Sequence, residues 1–244
     1  MEIRFDQQVA ILTGAGRGLG RAHAIAMASK GAKVVVNDFS GSQEISENAN
    51  SVVEEIISAG GEAIANGANV ANFDQVQCMV NETIDKWGRV DILVNNAGIL
   101  RDKTFLKMSV EDMREVIDVH LMGSLNCSKA AWETMREQSY GRIVLTSSSS
   151  GLYGNFGQTN YGAAKMAMVG IMNTLHLEGM KYNIKVNCLA PTAGTAMTDG
   201  LFPEPVFKLM PPESVSPGVV FLCSKDAPSR KVLAAGGGSF AIFK

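Results

Sequence analysis

Tyr161 and Lys165, in the run Tyr161-Gly162-Ala163-Ala164-Lys165, stand one helical turn apart and project from the same helix face. A phenol beside an ammonium ion gives up its proton more readily, because a neighbouring positive charge favours the charged form. That makes a group whose ordinary pKa is about 10 usable as an acid or base near neutral pH. A helix carrying a tyrosine and a lysine for packing alone has the same spacing. The pair therefore takes its meaning from the elements around it.

Those elements alternate. Short aliphatic and β-branched runs at Val9–Leu12, Lys33–Asn37, Ile92–Asn95, Arg142–Ser147, Lys185–Ala190 and Val232–Ala235 read as strands. Helical patterns occupy about 18–30, 44–59, 73–87, 109–137, 160–181 and 214–224. Continuous apolar strands joined by helices imply a parallel sheet buried on both faces. With right-handed crossovers the result is a single-domain, doubly wound α/β fold spanning 1–244. One excursion breaks the rhythm, a proline-rich stretch at about 195–212 that carries Leu201, Phe202, Val206, Phe207 and Leu209. Prolines oppose a long helix there, and a loop of this length is a candidate substrate loop.

Thr13-Gly14-Ala15-Gly16-Arg17-Gly18-Leu19-Gly20 lies between the first strand and the first helix. In that context a glycine-rich turn brings backbone N–H groups up to a pyrophosphate at a helix N-terminus. Asp38, ending the second strand, can accept from the ribose hydroxyls of an adenosine, and it repels a 2′-phosphate. The reading is NAD over NADP, with the Arg17 guanidinium counting the other way. Asn95-Asn96-Ala97-Gly98 after the third strand candidate supplies small residues where ligands of such folds bind, although it would also serve as an ordinary turn.

Composition narrows the partners. A net charge of −2 supplies no field for nucleic acid or an anionic membrane, and no apolar run is long enough to span a bilayer. The N-terminus lacks a signal-peptide pattern and the last residues match no retention address, so a cytosolic protein is expected. Cys78, Cys127, Cys188 and Cys223 are scattered, and neither they nor His23, His120 and His176 show metal-ligand spacing. Reduced, buried thiols and no metal are expected.

TGAGRGLG (13–20), NNAG (95–98), a serine thirteen residues before a tyrosine, and YGAAK (161–165) together resemble the short-chain dehydrogenase/reductase family, from about residue 6 to the last strand. Within it, NNAGILRDK (95–103), Val119-His120-Leu121 and GLYGNFGQ (151–158) are similar to the dehydrogenase part of the peroxisomal bifunctional hydroxyacyl-CoA dehydrogenase/hydratase group. The resemblance implies a Rossmann-type domain with a seven-stranded sheet, no metal, NAD as cofactor and a homodimer or homotetramer. It implies Tyr161 as acid/base, Lys165 lowering its pKa and holding the nicotinamide ribose, and Ser148, chosen by register among Ser147–Ser150, bonding the substrate oxygen. It also implies cofactor contacts at Gly14, Arg17, Gly18, Leu19, Gly20, Asp38, Asn69, Val70, Asn96, Ala97, Gly98, Pro191, Gly194 and Thr195, besides Tyr161 and Lys165.

The sequence departs from the family where His120 replaces a common asparagine that supports a water chain to the lysine. An imidazole there can relay protons and would titrate near pH 6–7, or it can be a packed histidine bonded to a backbone carbonyl. The substrate implied is a small hydrophobic secondary alcohol or its ketone, with a (3R)-hydroxyacyl-CoA as one candidate. Leu100, Tyr153, Asn155, Phe156 and 197–212 are the pocket candidates, and Arg101, Lys103 and Lys107 the candidates for a CoA phosphate. An NADPH-dependent 3-oxoacyl carrier-protein reductase or broad ketoreductase is the competing enzyme; a non-catalytic redox-sensing nucleotide binder is the competitor from another class.

Overall fold

The computed structural model describes residues 2–42, 44–198, 200 and 203–243. Leu201 and Phe202, read as part of the substrate loop, lie outside them. Among the described residues one sheet forms the centre. Its strands are β1 (Val9–Thr13), β2 (Lys33–Asn37), β3 (Glu62–Asn66), β4 (Ile92–Asn95), β5 (Gly141–Thr146), β6 (Ile184–Thr192), β7 (Val232–Gly236) and β8 (Ser239–Phe243). Their order is β3-β2-β1-β4-β5-β6-β7-β8. The first seven run parallel, and β8 pairs antiparallel to β7 after the turn at Gly237-Gly238.

Alternation along each inner strand sends side chains to two separate cores. Ala10, Leu12, Val34, Val36, Ile92 and Val94 pack on one face against α1 (Gly18–Ser29), α2 (Glu47–Ser58) and α9 (Ser216–Cys223). Ile11, Val35, Leu93, Ile143 and Leu145 pack on the other against α3 (Phe73–Trp87), α5 (Gly123–Glu137) and α7 (Thr159–Gly179). Burial on both faces explains why these strands are uninterrupted apolar runs. The chain crosses between β1 and β4, where the strand order reverses, so a crevice opens at their carboxyl ends.

Two strands escape the apolar pattern, and the sheet has eight strands rather than the seven expected. β3 reads EAIAN at one edge, where alanine and asparagine carry weak strand preference. β8, at the other edge, has mostly exposed residues, so no buried run marks it. The long helical pattern at 109–137 is also divided. α4 (Val110–Ile117) is joined to α5 by a π-helical turn at Asp118–Met122 that contains His120. Among its described residues the 195–212 excursion contains only α8 (Glu204–Lys208) as an α-helix. Cys78 is exposed, contrary to the expectation that all four thiols are buried.

Candidate active site

The carboxyl ends of β4 and β5 and the first turns of α7 bring the sequence-selected pair together. Lys165 is buried, and its Nζ lies 5.5 Å from the centroid of the Tyr161 ring. The same Nζ donates to the Thr146 carbonyl at 2.7 Å, which anchors the lysine to the end of β5. Ser147 is committed to structure, donating to the Lys165 carbonyl at 2.8 Å. Ser148 caps α6 (Ser149–Tyr153), accepting from the Ser150 N–H, and its hydroxyl sits against the phenol. Of the serine run, then, it is Ser148 that faces Tyr161.

The electrostatics differ from the simple pairing argument. Burial raises the Tyr161 pKa above its ordinary value; the Ser148 hydroxyl pulls it down, and the Asp102 carboxylate pushes it up further. Lys165 is itself pushed down to about 7 by burial, so it does not act as a permanent cation beside the phenol. Desolvation disfavours the charged form of both groups and is the largest cause of each shift.

His120 also behaves otherwise than its ordinary titration implies. Burial, with the neighbouring Lys165 charge, drives its pKa down to about 3, so the ring is neutral throughout the physiological range. Its Nε2 lies 3.0 Å from the Ile99 N–H nitrogen and 2.8 Å from the Ile99 carbonyl. The ring stands edge-on to Tyr161, with centroids 5.2 Å apart and an interplanar angle of 88°. The π-turn is what aims it there, since one extra residue in the turn swings the side chain from the helix flank to the site. Gly98 makes room for the ring, because a Cβ there would collide with His120 Cε1 and come within 3.0 Å of Nδ1. Gly98→Ala is expected to displace His120 against Tyr161 and cut kcat by about tenfold, with a stability loss of about 1–3 kcal/mol. Steady-state kinetics beside a thermal unfolding curve checks both.

The glycine-rich turn is held by residues on the adjoining loop. Thr13 Oγ1 accepts from the N–H groups of Asn96 and Ala97, each at 3.0 Å. Asn96 Nδ2 returns to the carbonyls of Thr13 and Gly14, each also at 3.0 Å. Asn96 thus clamps the turn through its side chain. Gly14, Gly18, Leu19 and Gly20 form the turn and the start of α1, with Arg17 exposed between them. Asn69 and Val70 follow β3, and Pro191, Gly194 and Thr195 lie at and beyond the end of β6. All border the same crevice, as the topology requires.

Three of the five buried polar atoms that lack a partner among the described residues, Asn95 Oδ1, His120 Nδ1 and Thr146 Oγ1, cluster at this end of the sheet. Unpaired buried polar groups are costly, so their concentration here fits a site built to receive a polar ligand. The residues present fit a nicotinamide dinucleotide, with a phosphate turn at one end, a carboxylate beside it and the tyrosine cluster at the other. Among the described residues no group of three or more His, Cys, Asp or Glu is placed to hold a metal ion, and no helix is long and apolar enough to cross a membrane.

Residues 8–205 match the family model of the short chain dehydrogenases. The chain belongs to the short-chain dehydrogenase family. As a member it is an oxidoreductase acting on CH–OH groups. It is 49% identical over 96% of its length to a putative short-chain type dehydrogenase/reductase of Mycobacterium tuberculosis, covering 83% of that protein. It is 48% identical to the peroxisomal multifunctional enzyme type 2 of Drosophila melanogaster, over 92% of this chain but only 38% of the relative. A 3-oxoacyl-[acyl-carrier-protein] reductase of Synechocystis is 44% identical over 90% of both chains. Among solved structures, a short chain dehydrogenase from Mycobacterium avium superposes with a TM-score of 0.89 at 41% identity, covering 98% of this chain and 86% of that one. The likeness to the hydroxyacyl-CoA dehydrogenase group is therefore present among the family's members, in a chain that spans about two fifths of the fly protein.

Two contributors to the site, Ser46 and Asn160, lie in none of the sequence motifs, and others act through contacts the motifs do not reveal. Thr13, the first residue of the glycine-rich run, acts on a loop 83 residues on, and Ser46 acts on Asp38 eight residues before it. Gln158 Nε2 donates to Asp102 Oδ2 at 2.6 Å, and Asn160 Nδ2 donates to the Arg101 carbonyl at 3.2 Å. Together they fasten the start of α7 to the loop that follows β4. Arg101 and Lys103, considered for a CoA phosphate, are paired with Glu115 and Asp112.

Proposed function

We propose that this chain is an NAD-dependent dehydrogenase interconverting a hydrophobic secondary alcohol and its ketone, with (3R)-hydroxyacyl-CoA thioesters the first substrate class to try. The observation that carries the cofactor choice is the Asp38 carboxylate at the end of β2, resting over the glycine-rich turn. A second anion forced beside it would face repulsion that is hard to offset when partly buried. The alcohol chemistry is carried by the cluster of Ser148, Tyr161 and Lys165.

When bound, NAD supplies the hydride acceptor; the protein supplies orientation and electrostatics. Ser148 holds the substrate oxygen by a hydrogen bond, and Tyr161 exchanges the hydroxyl proton with it. Lys165 would hold the nicotinamide ribose, and Asp38 the adenosine ribose. His120, neutral and wedged between Ile99 and Tyr161, is a supporting residue that keeps the phenol in place. Exposed Tyr153 and Phe156, at 74% and 88%, offer apolar surface to the substrate beside the cluster. Exposed Met166, Leu177 and Met180 on and just beyond α7 support a homodimer or homotetramer.

A panel of secondary alcohols and 3-hydroxyacyl-CoA thioesters, followed by NADH absorbance, tests the reading. Turnover with NADP but none with NAD would favour the second reading, a carrier-protein reductase, which the Synechocystis relative supports. Asp38→Ala is expected to lower the preference for NAD over NADP by at least about tenfold, the worth of one charge-assisted contact. The ratio of kcat/KM for the two cofactors measures it.

A further inference from the structure

Asp38 does not hold its own position. Ser46, eight residues on, donates its hydroxyl hydrogen to Asp38 Oδ2 at 2.8 Å. The same Oγ accepts from the Ala49 N–H at 3.0 Å as the N-cap of α2. A serine hydroxyl has one hydrogen to give, and with a backbone N–H filling a lone pair its hydrogen is committed to the carboxylate. Ser46 is also buried, so water does not compete for the bond.

The surroundings leave the carboxylate one place to be. It lies on Gly16, where an added Cβ would collide with Oδ2 and come within 2.6 Å of Cγ. The Asp38 backbone N–H is tied to the Asn66 carbonyl at 3.0 Å, which fixes the root of the side chain. Phe39 and Ile45 pair across the intervening loop, which returns Ser46 to Asp38 in register. Oδ1 then remains for a ligand, because among the described residues no donor reaches it.

We infer that Ser46 is a positioning residue for cofactor choice: its hydroxyl pins the Asp38 carboxylate over Gly16, where one oxygen receives ribose hydroxyls and the pinned charge bars a 2′-phosphate. This rests on the NAD reading above. An unpinned carboxylate can rotate away from an incoming phosphate, so loss of the pin weakens NADH binding and relaxes the discrimination together. A helix cap acting only through the stability of α2 would weaken both cofactors alike.

The test is a double-mutant cycle on Asp38 and Ser46, read as dissociation constants for NADH and NADPH by nucleotide fluorescence. Ser46→Ala is expected to weaken NADH binding by about tenfold and to lower the NADH-over-NADPH preference by a similar factor, the scale of a hydrogen bond to a charged group. In an Asp38→Ala background the same substitution is expected to change NADH binding less than about twofold, since the partner it acts through is gone. Ser46→Gly, which sacrifices little capping energy, serves if Ser46→Ala does not fold. Equal losses for both cofactors, or an equal loss in both backgrounds, overturn the inference. If Asp38→Ala itself leaves NADH binding intact, the NAD reading fails instead, and this inference with it.

Discussion

Tyr161→Phe is expected to lower kcat by roughly 10³-fold on the best alcohol found, within the range that a positioned acid or base contributes. The phenylalanine keeps the ring against His120 and removes only the hydroxyl, so NADH binding should remain within about twofold of the parent. Loss in kcat without loss of cofactor binding separates proton exchange from a packing role. Turnover within about tenfold of the parent would show that another group exchanges the proton. Because burial holds the Tyr161 pKa above its ordinary value, the phenolate needed to oxidise an alcohol grows with rising pH. Oxidation should therefore quicken from neutral to mildly alkaline pH. Ketone reduction, which needs the protonated phenol, should not. A pH series in both directions reads this directly.

Acid should unfold the protein over a steep and predictable window. His23 and His120 are both buried and neutral, and burial sets each near a pKa of about 3, against an ordinary 6.5. His23 Nδ1 lies 2.9 Å from the Ser216 hydroxyl, between α1 and α9, and burial is the whole cause of its shift. The unfolded chain therefore binds more protons than the native one below about pH 6.5. The contribution of these two histidines is complete above that value and is lost as the pH falls toward 3. With both groups contributing, the slope is about 2.7 kcal/mol per pH unit, so moving from pH 7 to pH 5 should remove about 4 kcal/mol. Urea unfolding at a series of pH values checks it, and His23→Gln should roughly halve the slope whatever it does to stability at neutral pH. A slope unchanged by that substitution would mean the acid sensitivity lies with other groups.

Much of the fold was legible because burial on two faces leaves a continuous apolar signature. The strands β1, β2, β4, β5 and β6 and the helices between them stand near where the apolar runs put them. The edges were not legible. β3 and β8 are held mainly by backbone pairing to a neighbouring strand, with little side-chain burial, so neither has a continuous apolar pattern to read. The π-turn at Asp118–Met122 is likewise invisible, since its residues continue a helical periodicity on both sides.

What the sequence by itself determined is the chemistry: a tyrosine and lysine one turn apart, a serine in register and a glycine turn between strand and helix are local spacings, read without knowing the fold. What only the tertiary structure decided is the state of those groups. Lys165 is no longer a permanent cation at neutral pH, Tyr161 is raised and not lowered, and His120 is held neutral, because each shift comes chiefly from how much protein surrounds the side chain. The pin from Ser46 to Asp38 belongs to the same class, since it exists only where α2 and the end of β2 meet. Spacing along a chain carries hydrogen-bonding types and faces; desolvation and cross-element contacts depend on how the elements pack together, and the packed molecule alone supplies them.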